Sequence, residues 1–212
     1  MTARKLPFDF IKRGVDIAVS AAGLIITAPI QIAVAAAVRV NLGSPVLFRQ
    51  QRPGKNERIF ELMKFRTMLP VTAQYTTDEE RLTKFGKFLR STSLDELPSL
   101  WNVFRGDMSL VGPRPLLVEY LEHYSPEQAR RHEVRPGITG LAQVRGRNDV
   151  DWDRRFEYDV EYVDNRSIGL DLKILVDTVT TVLKRSGISQ EGHATMPKFS
   201  EYQKEENSNA GA

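Results

Sequence analysis

Residues 15–38 are almost continuously apolar, VDIAVSAAGLIITAPIQIAVAAAV, with Lys12 and Arg13 just before them and Arg39 just after. As one straight helix the run reaches about 36 Å, enough to cross a hydrocarbon core of about 30 Å. Pro29 interrupts it, removing a backbone donor and crowding the preceding turn. Basic residues flank both ends: Arg4, Lys5, Lys12 and Arg13 on one side, and Arg39, Arg49, Arg52 and Lys55 on the other. Cationic flanks stay on the cytoplasmic side of a membrane. The pattern therefore predicts a re-entrant helix-break-helix that dips into one leaflet and returns, with Thr27 available to the backbone freed at Pro29. A simple span and a buried core helix are the alternatives. A cleaved signal peptide is not expected, because the run begins late and carries Pro29 where a small-residue cleavage site would follow.

Beyond this run the periodicity shortens. Residues 45–68 predict a β-hairpin, with Val46-Leu47-Phe48 and Ile59-Phe60-Glu61-Leu62 as strands around the turn Arg52-Pro53-Gly54-Lys55-Asn56. Residues 78–90 predict a helix with Leu82, Phe85 and Leu89 on one face. Apolar positions 94, 97, 100, 101 and 104 predict another. Its start is either a capping box, Ser93 with Glu96, or an Asp95 N-cap that puts Pro98 in the first turn. Both place Asp95 and Glu96 at a helix N-terminus, a natural anion site. Gly112-Pro113-Arg114-Pro115 cannot be helical, since each proline restricts the residue before it. Residues 135–148 form a loop-rich, glycine-punctuated stretch. Helices follow over 152–166, with Phe156, Val160 and Val163 on one side, and over 170–185, whose apolar face fits either a core or a membrane interface. Asp171 reads as a cap of the latter, with the orienting of an active-site base as the alternative. Trp101 and Trp152 read as core or interfacial anchors.

The expected fold is α+β and mostly helical: a re-entrant membrane helix hairpin over residues 1–40, a cytosolic catalytic domain lying on the membrane over 41–189, and a polar tail over 190–212. The domain would hold a small β-hairpin and interfacial amphipathic helices.

Composition narrows the chemistry. The 212 residues contain no cysteine, so neither a disulfide framework nor a thiolate metal site exists. Net charge is only +3 and no long Lys/Arg block occurs, so nucleic acid is not an expected partner. His123, His132 and His193 show no metal-ligand spacing. Adjacent carboxylates Asp95 and Glu96, with Arg90 before them and Arg114 after, are what phosphate chemistry needs: one group to attack or hold a metal, others to neutralise phosphate oxygens. Arg147 is a third candidate clamp, since guanidinium forks match phosphate oxygens. Lys64, Arg66 and Thr67 are further candidates, either for a phosphate or for anionic lipid headgroups.

Taken together, several motifs are familiar. They are the basic-apolar N-terminus with Pro29, Lys64-Phe65-Arg66-Thr67-Met68, Ser93-Leu94-Asp95-Glu96-Leu97-Pro98, Asn102-Val103, Gly106-Asp107-Met108-Ser109, Val111-Gly112-Pro113-Arg114-Pro115 and Arg135-Pro136-Gly137-Ile138-Thr139-Gly140. In this order, over roughly residues 8 to 198, the chain resembles the bacterial sugar transferases, the monotopic phosphoglycosyl transferases that start glycan assembly on polyprenyl phosphate. Ala28 precedes Pro29 where some relatives carry Ser. The resemblance implies transfer of a phosphosugar from a UDP-sugar to polyprenyl (undecaprenyl) phosphate, releasing UMP, through a covalent intermediate on Asp95. It implies Glu96 as helper, Mg²⁺ held by Asp95 with Glu96 as second candidate, and Arg90, Arg114 and Arg147 as phosphate clamps. It also implies contact with membrane lipid, residence on the cytosolic face of the bacterial inner (cytoplasmic) membrane, and other glycan-assembly enzymes as partners. Lys184-Arg185-Ser186-Gly187-Ile188-Ser189 with Glu191-Gly192-His193 resembles the members acting on UDP-N,N'-diacetylbacillosamine in bacterial N-linked glycosylation. Two rival readings share these features: a membrane-attached nucleotide-sugar hydrolase, and a non-catalytic scaffold for glycan assembly.

Overall fold

The apolar run folds as one long helix, α1 (Leu6–Leu42), in a computed structural model that describes residues 6–146, 150–183, 199 and 202. The expected break at Pro29 is not a gap: helical structure continues on both sides of it. Proline removes one hydrogen bond but its fixed φ is helical, so two long docked flanks can carry it. Thr27 does not serve the carbonyl that Pro29 leaves one turn back. Its hydroxyl donates to the Gly23 carbonyl at 2.6 Å and accepts from Gln31 Nε2 at 2.9 Å.

Both ends of α1 dock on the same body. Near its start, Lys12 pairs with Asp171 at 2.6 Å, and Arg13 donates to the Val103 and Phe104 carbonyls at 2.7 and 2.8 Å. The buried Asp16 carboxylate accepts from the Ser109 hydroxyl and the Leu110 amide, each at 3.1 Å. Near its end, Val34, Val38 and Leu42 pack with Phe65 and Leu89. Between them Ile25, Ile26 and Ile32 are 72–75% exposed.

The predicted hairpin is present as β1 (Leu47–Pro53) and β2 (Ile59–Phe65), antiparallel, with Leu47 opposite Phe65 and Pro53 opposite Ile59. A 3-10 turn at Lys55–Glu57 joins them. The single helix expected over 78–90 is two: α2 (Asp78–Arg81) and α3 (Lys84–Ser91). Each has its own threonine cap, Thr77 in a capping box with Glu80 and Thr83 accepting from the Gly86 amide, and Leu82 between them is extended. A Cβ on Gly86 would fall 1.9 Å from the Thr67 carbonyl, so only glycine lets α3 approach the end of the hairpin this closely.

Helix α4 (Ser99–Arg105) is clipped to β2 by side chains that reach its backbone. Ser99 donates to the Met63 carbonyl at 2.8 Å. Asn102 donates to the Glu61 carbonyl at 2.8 Å and accepts from the Met63 amide at 3.1 Å. Asn102 is 1% exposed. Asn102→Ala strands both backbone groups away from water, with an expected loss of about 2–3 kcal/mol. Chemical denaturation of the detergent-solubilised chain measures it, and an unchanged midpoint would show that apolar packing alone joins α4 to β2.

A second small sheet was not foreseen. β3 (Ser109–Val111) pairs in parallel with β4 (Gly137–Thr139), Ser109 opposite Gly137 and Val111 opposite Thr139, where the sequence suggested only loop. Three glycine-flanked residues carry no strand periodicity to read. Short helices α5 (Pro126–Ala129) and α6 (Leu141–Arg145) precede the long pair α7 (Trp152–Asn165) and α8 (Ile168–Leu183). Val111, Val134, Leu141, Tyr162, Val163 and Ile174 form the core between them. Asp171 is a tie and not the cap of α8: Ser167 accepts from the Leu170 amide at 3.2 Å, whereas Asp171 accepts from the Tyr162 hydroxyl at 2.8 Å and from Lys12. Trp152 is buried in an aromatic cluster with Tyr120, Phe156 and Phe199. Phe199 belongs to the expected polar tail, yet it is 1% exposed in this cluster, with Tyr202 packed beside it. Trp101 is exposed and stacked on Phe104. The architecture is mostly helical with two small two-stranded sheets.

Candidate active site

Asp95 and Glu96 do not sit at the N-terminus of α4. They lie in a 3-10 turn, Leu94–Glu96, one turn upstream, and Pro98 occupies the N-cap position of α4. Neither expected cap forms, because Ser93 is left-handed (φ 54°, ψ 17°) and its side chain caps nothing. That conformation costs a non-glycine residue about 1–2 kcal/mol. It reverses the chain after α3 and turns the two carboxylates back toward the end of β2 and the Pro113–Pro115 strut.

Cations from three separate elements meet them there. Lys64, next to the end of β2, lies 2.5 Å from Glu96 Oε1. Arg114, on the extended strut, reaches the same oxygen at 3.4 Å. Arg90, in the last turn of α3, donates to the Thr67 hydroxyl and to Met68 Sδ, each at 3.1 Å, and its charge acts on Asp95. Thr67 is buried and holds Arg90. Arg66 is not at the site. Its guanidinium donates to the Leu42 and Ser44 carbonyls and so ties down the end of α1; Arg66 follows the last residue of β2, where the pleat no longer holds it on the face of Lys64. Arg147 lies outside the described residues.

The two carboxyls have different electrostatics. Asp95 is 8% exposed, and burial followed by repulsion from Glu96 pushes its pKa up to about 6, against the pull of Lys64, Arg90 and Arg114. Burial also opposes ionisation of Glu96, but Lys64 and Arg114 outweigh it and hold the carboxyl down at about 2. Burial lowers the Lys64 pKa, partly offset by Glu96. Glu96 is therefore a fixed anion already shared by two cations. Asp95 makes no salt bridge among the described residues and is the carboxylate left for chemistry.

Several supporting residues gave no sequence signal. Arg131 is 3% exposed, grips Asp159 through two nitrogens at 3.0 and 2.7 Å, and donates to the Arg114 carbonyl at 2.6 Å. Arg52 donates to the next carbonyl, that of Pro115, at 3.3 Å. The strut is pinned at its other end by the Gly112 amide to the Thr139 carbonyl at 2.9 Å, and a Cβ on Gly112 would lie 2.4 Å from the Arg135 carbonyl. In sequence, Arg130-Arg131-His132 looks like any solvated basic run.

Among the described residues no group of three or more His, Asp or Glu side chains could cage a metal ion. One free carboxylate beside an anion site nonetheless suits Mg²⁺, which commonly takes one or two carboxylates and completes its shell with phosphate oxygens and water. Asp95 fits that role, whereas Oε1 of Glu96 is already committed to Lys64 and Arg114.

A family model described as bacterial sugar transferase matches residues 8–185. An uncharacterized sugar transferase, EpsL, of Bacillus subtilis is 51% identical over 192 residues, which cover 89% of this chain and 95% of that one. A UDP-glucose:undecaprenyl-phosphate glucose-1-phosphate transferase of Klebsiella pneumoniae is 46% identical over 181 residues, covering 79% of this chain and 39% of the relative. An undecaprenyl-phosphate galactose phosphotransferase of Salmonella typhimurium is 40% identical over 198 residues, covering 84% of this chain and 41% of the relative. The chain thus spans nearly all of the first and about two fifths of the other two.

Proposed function

The chain belongs to the bacterial sugar transferase family, and from that premise we propose that it transfers a sugar 1-phosphate from a UDP-sugar to undecaprenyl phosphate at a membrane surface. The observation that carries this reading is the buried Asp95, ringed by Lys64, Arg90 and Arg114 while Glu96 is held as a separate anion. Similarity to the glucose and galactose transferases supports the donor and acceptor classes.

The chemistry follows from the charges. A carboxylate oxygen of Asp95 attacks the sugar-bearing β-phosphorus. The new P–O bond replaces the bond to the bridging oxygen, and UMP leaves with that electron pair. An oxygen of the lipid phosphate then attacks the same phosphorus, the bond to Asp95 breaks, and the carboxylate is restored. Lys64, Arg90 and Arg114 neutralise phosphate oxygens that would otherwise repel a carboxylate. Mg²⁺, when bound at Asp95, adds charge neutralisation of the same kind. With a pKa of about 2, Glu96 is a poor base in the free protein. Phosphates that draw Lys64 and Arg114 away raise its pKa and make it the acceptor for a proton on the incoming lipid phosphate.

The membrane reading rests on α1. It is long and apolar enough to cross a bilayer, but Gly23 is already on the domain, where an added Cβ would lie 3.2 Å from Leu100, and Val34 is back in the domain core. The interval between those two residues reaches only about 17 Å, short of a core about 30 Å thick. A helix entering one leaflet, with the domain on the cytosolic face of the inner membrane, accommodates both docked ends. Exposed Trp101, Phe104, Leu172, Val176 and Val179 offer further apolar surface to the interface. Cysteines placed at both ends of α1 should react from one side only, and opposite-side labelling would refute the re-entrant reading.

Donor sugar is the finer question. The features that suggested N,N'-diacetylbacillosamine, residues 184–193, lie outside the described residues. Incubating the full chain with UDP-N,N'-diacetylbacillosamine, UDP-glucose and UDP-galactose without lipid, followed by intact-mass spectrometry, identifies the donor by its phosphosugar adduct. Stoichiometric UMP with an adduct supports the transferase. Catalytic UMP release without adduct or lipid product favours the hydrolase, and no reaction with any donor favours the scaffold. The nucleophile must be ionised, so the rate of adduct formation should fall as pH drops through about 6. A rate flat from pH 5 to 8 would count against Asp95 as the attacking group.

A further inference from the structure

Two more guanidiniums stand by Arg114, and the transfer chemistry above does not use them. Arg52 comes from β1 and Arg155 from α7. Both feel the charge of Arg114, whereas the charges that act on Asp95 and Glu96 are those of Lys64, Arg90 and Arg114. Arg114 is thus shared between the carboxylate pair and a purely cationic group.

The cationic group has no acid in direct contact: Glu119 acts on Arg52 and Asp159 on Arg155 only at longer range. Among the described residues neither Arg52 nor Arg155 makes a salt bridge. Arg52 has only neutral partners, the Pro115 carbonyl at 3.3 Å and Gln50 Oε1 at 2.6 Å, and its Nε is buried without a partner. Arg155 donates Nε to the Val150 carbonyl at 3.2 Å and rests against the Trp152 ring. The nearest acid along its helix face, Asp159 one turn on, is already gripped by Arg131 through two nitrogens. Half-buried like charges without a hydrogen-bonded acid are costly, and guanidinium forks are the side chains best matched to phosphate oxygens.

We propose that Arg52, Arg114 and Arg155 form a second phosphate site, which takes a phosphate monoester beside the phosphorus attacked by Asp95. The proposal rests on the transferase reading. A diphosphate presents two adjacent phosphates, and Arg114 is the cation placed to touch both. The monoester has two chemical sources in this reaction, the UMP that departs and the lipid phosphate that arrives.

Isothermal titration of the full chain in detergent separates them, with UMP against uridine and farnesyl phosphate against farnesol as probes. Arg155→Gln touches no strut contact and serves where Arg52→Gln fails to fold. Each should weaken binding of a phosphate probe about tenfold or more, the scale of lost charge-assisted hydrogen bonds, while uridine and farnesol affinities stay unchanged. Arg52→Lys should recover part of the loss. Arg154→Gln, on the exposed face of α7 and paired with Glu157, should change nothing. Weakening of UMP alone assigns the site to the nucleotide, and of farnesyl phosphate alone to the acceptor. Wild-type affinity of both variants for both phosphates overturns the site. If the wild type forms its Asp95 adduct in that case, the transferase reading stands without it. A wild type that forms no adduct and binds neither phosphate sinks both.

Discussion

Asp95→Asn is expected to abolish the phosphosugar adduct and to cut lipid-linked product by at least about a thousandfold, while making the protein more stable above neutral pH. The two effects share one cause. In the folded chain the Asp95 carboxyl is raised to about 6 because it is buried beside Glu96. A raised acid contributes stability below its unfolded pKa and loses it as pH climbs through the folded value. At pH 8 the wild type therefore carries an ionised group the fold disfavours, at a cost of up to about 3 kcal/mol. The amide keeps the shape and removes the charge. Unfolding midpoints at pH 5 and pH 8 should accordingly diverge for the wild type and coincide for the variant, apart from other titrations. Glu96→Gln should behave oppositely and lose stability, because it takes the anion from Lys64, whose own charge is buried. An Asp95→Asn protein that still forms the adduct ends the nucleophile assignment.

Breaking the Arg131–Asp159 pair should have the largest effect on folding. Its side chains are 2% and 5% exposed. Burial raises the Asp159 pKa despite its partner, so each charge depends on the other. Asp159→Asn or Arg131→Met alone leaves one buried charge uncompensated, with an expected loss of about 3–5 kcal/mol. Arg131→Met combined with Asp159→Leu should recover much of that loss, since two apolar side chains can replace a buried pair. It should not recover the Arg114 strut, whose carbonyl loses its 2.6 Å donor. The double variant is thus expected to fold while binding UDP-sugar more weakly, separating stability from site geometry. Denaturation curves and donor KM read the two parts. Wild-type stability in either single variant would show that water reaches the pair and shields it.

How far the chain could be read before folding depends on the range of each interaction. The apolar run with its charged flanks, the β1–β2 hairpin and the helix α7 were legible because periodicity and turn residues act within a few positions. Asp95 and Glu96 were legible because their neighbours in sequence, Arg90 and Arg114, are also their neighbours in space. Local signals failed where two of them compete. Thr83 cuts the helix expected over 78–90, and left-handed Ser93 moves the carboxylates out of the α4 N-terminus. Lys64 and Arg66 stand two residues apart in one motif, yet the first reaches Glu96 and the second the end of α1.

By itself, then, the sequence determined the long apolar helix, the β1–β2 hairpin and the adjacent carboxylates with arginines on either side. These follow from side-chain chemistry and short spacing. Tertiary structure decided which carboxylate is free. Lys64 arrives from a strand more than thirty positions away and Arg114 from a strut held by Arg131 and Arg52; together they claim Glu96 and leave Asp95 buried, raised in pKa and available. Burial and long-range charge set that division, and neither has a local sequence signature.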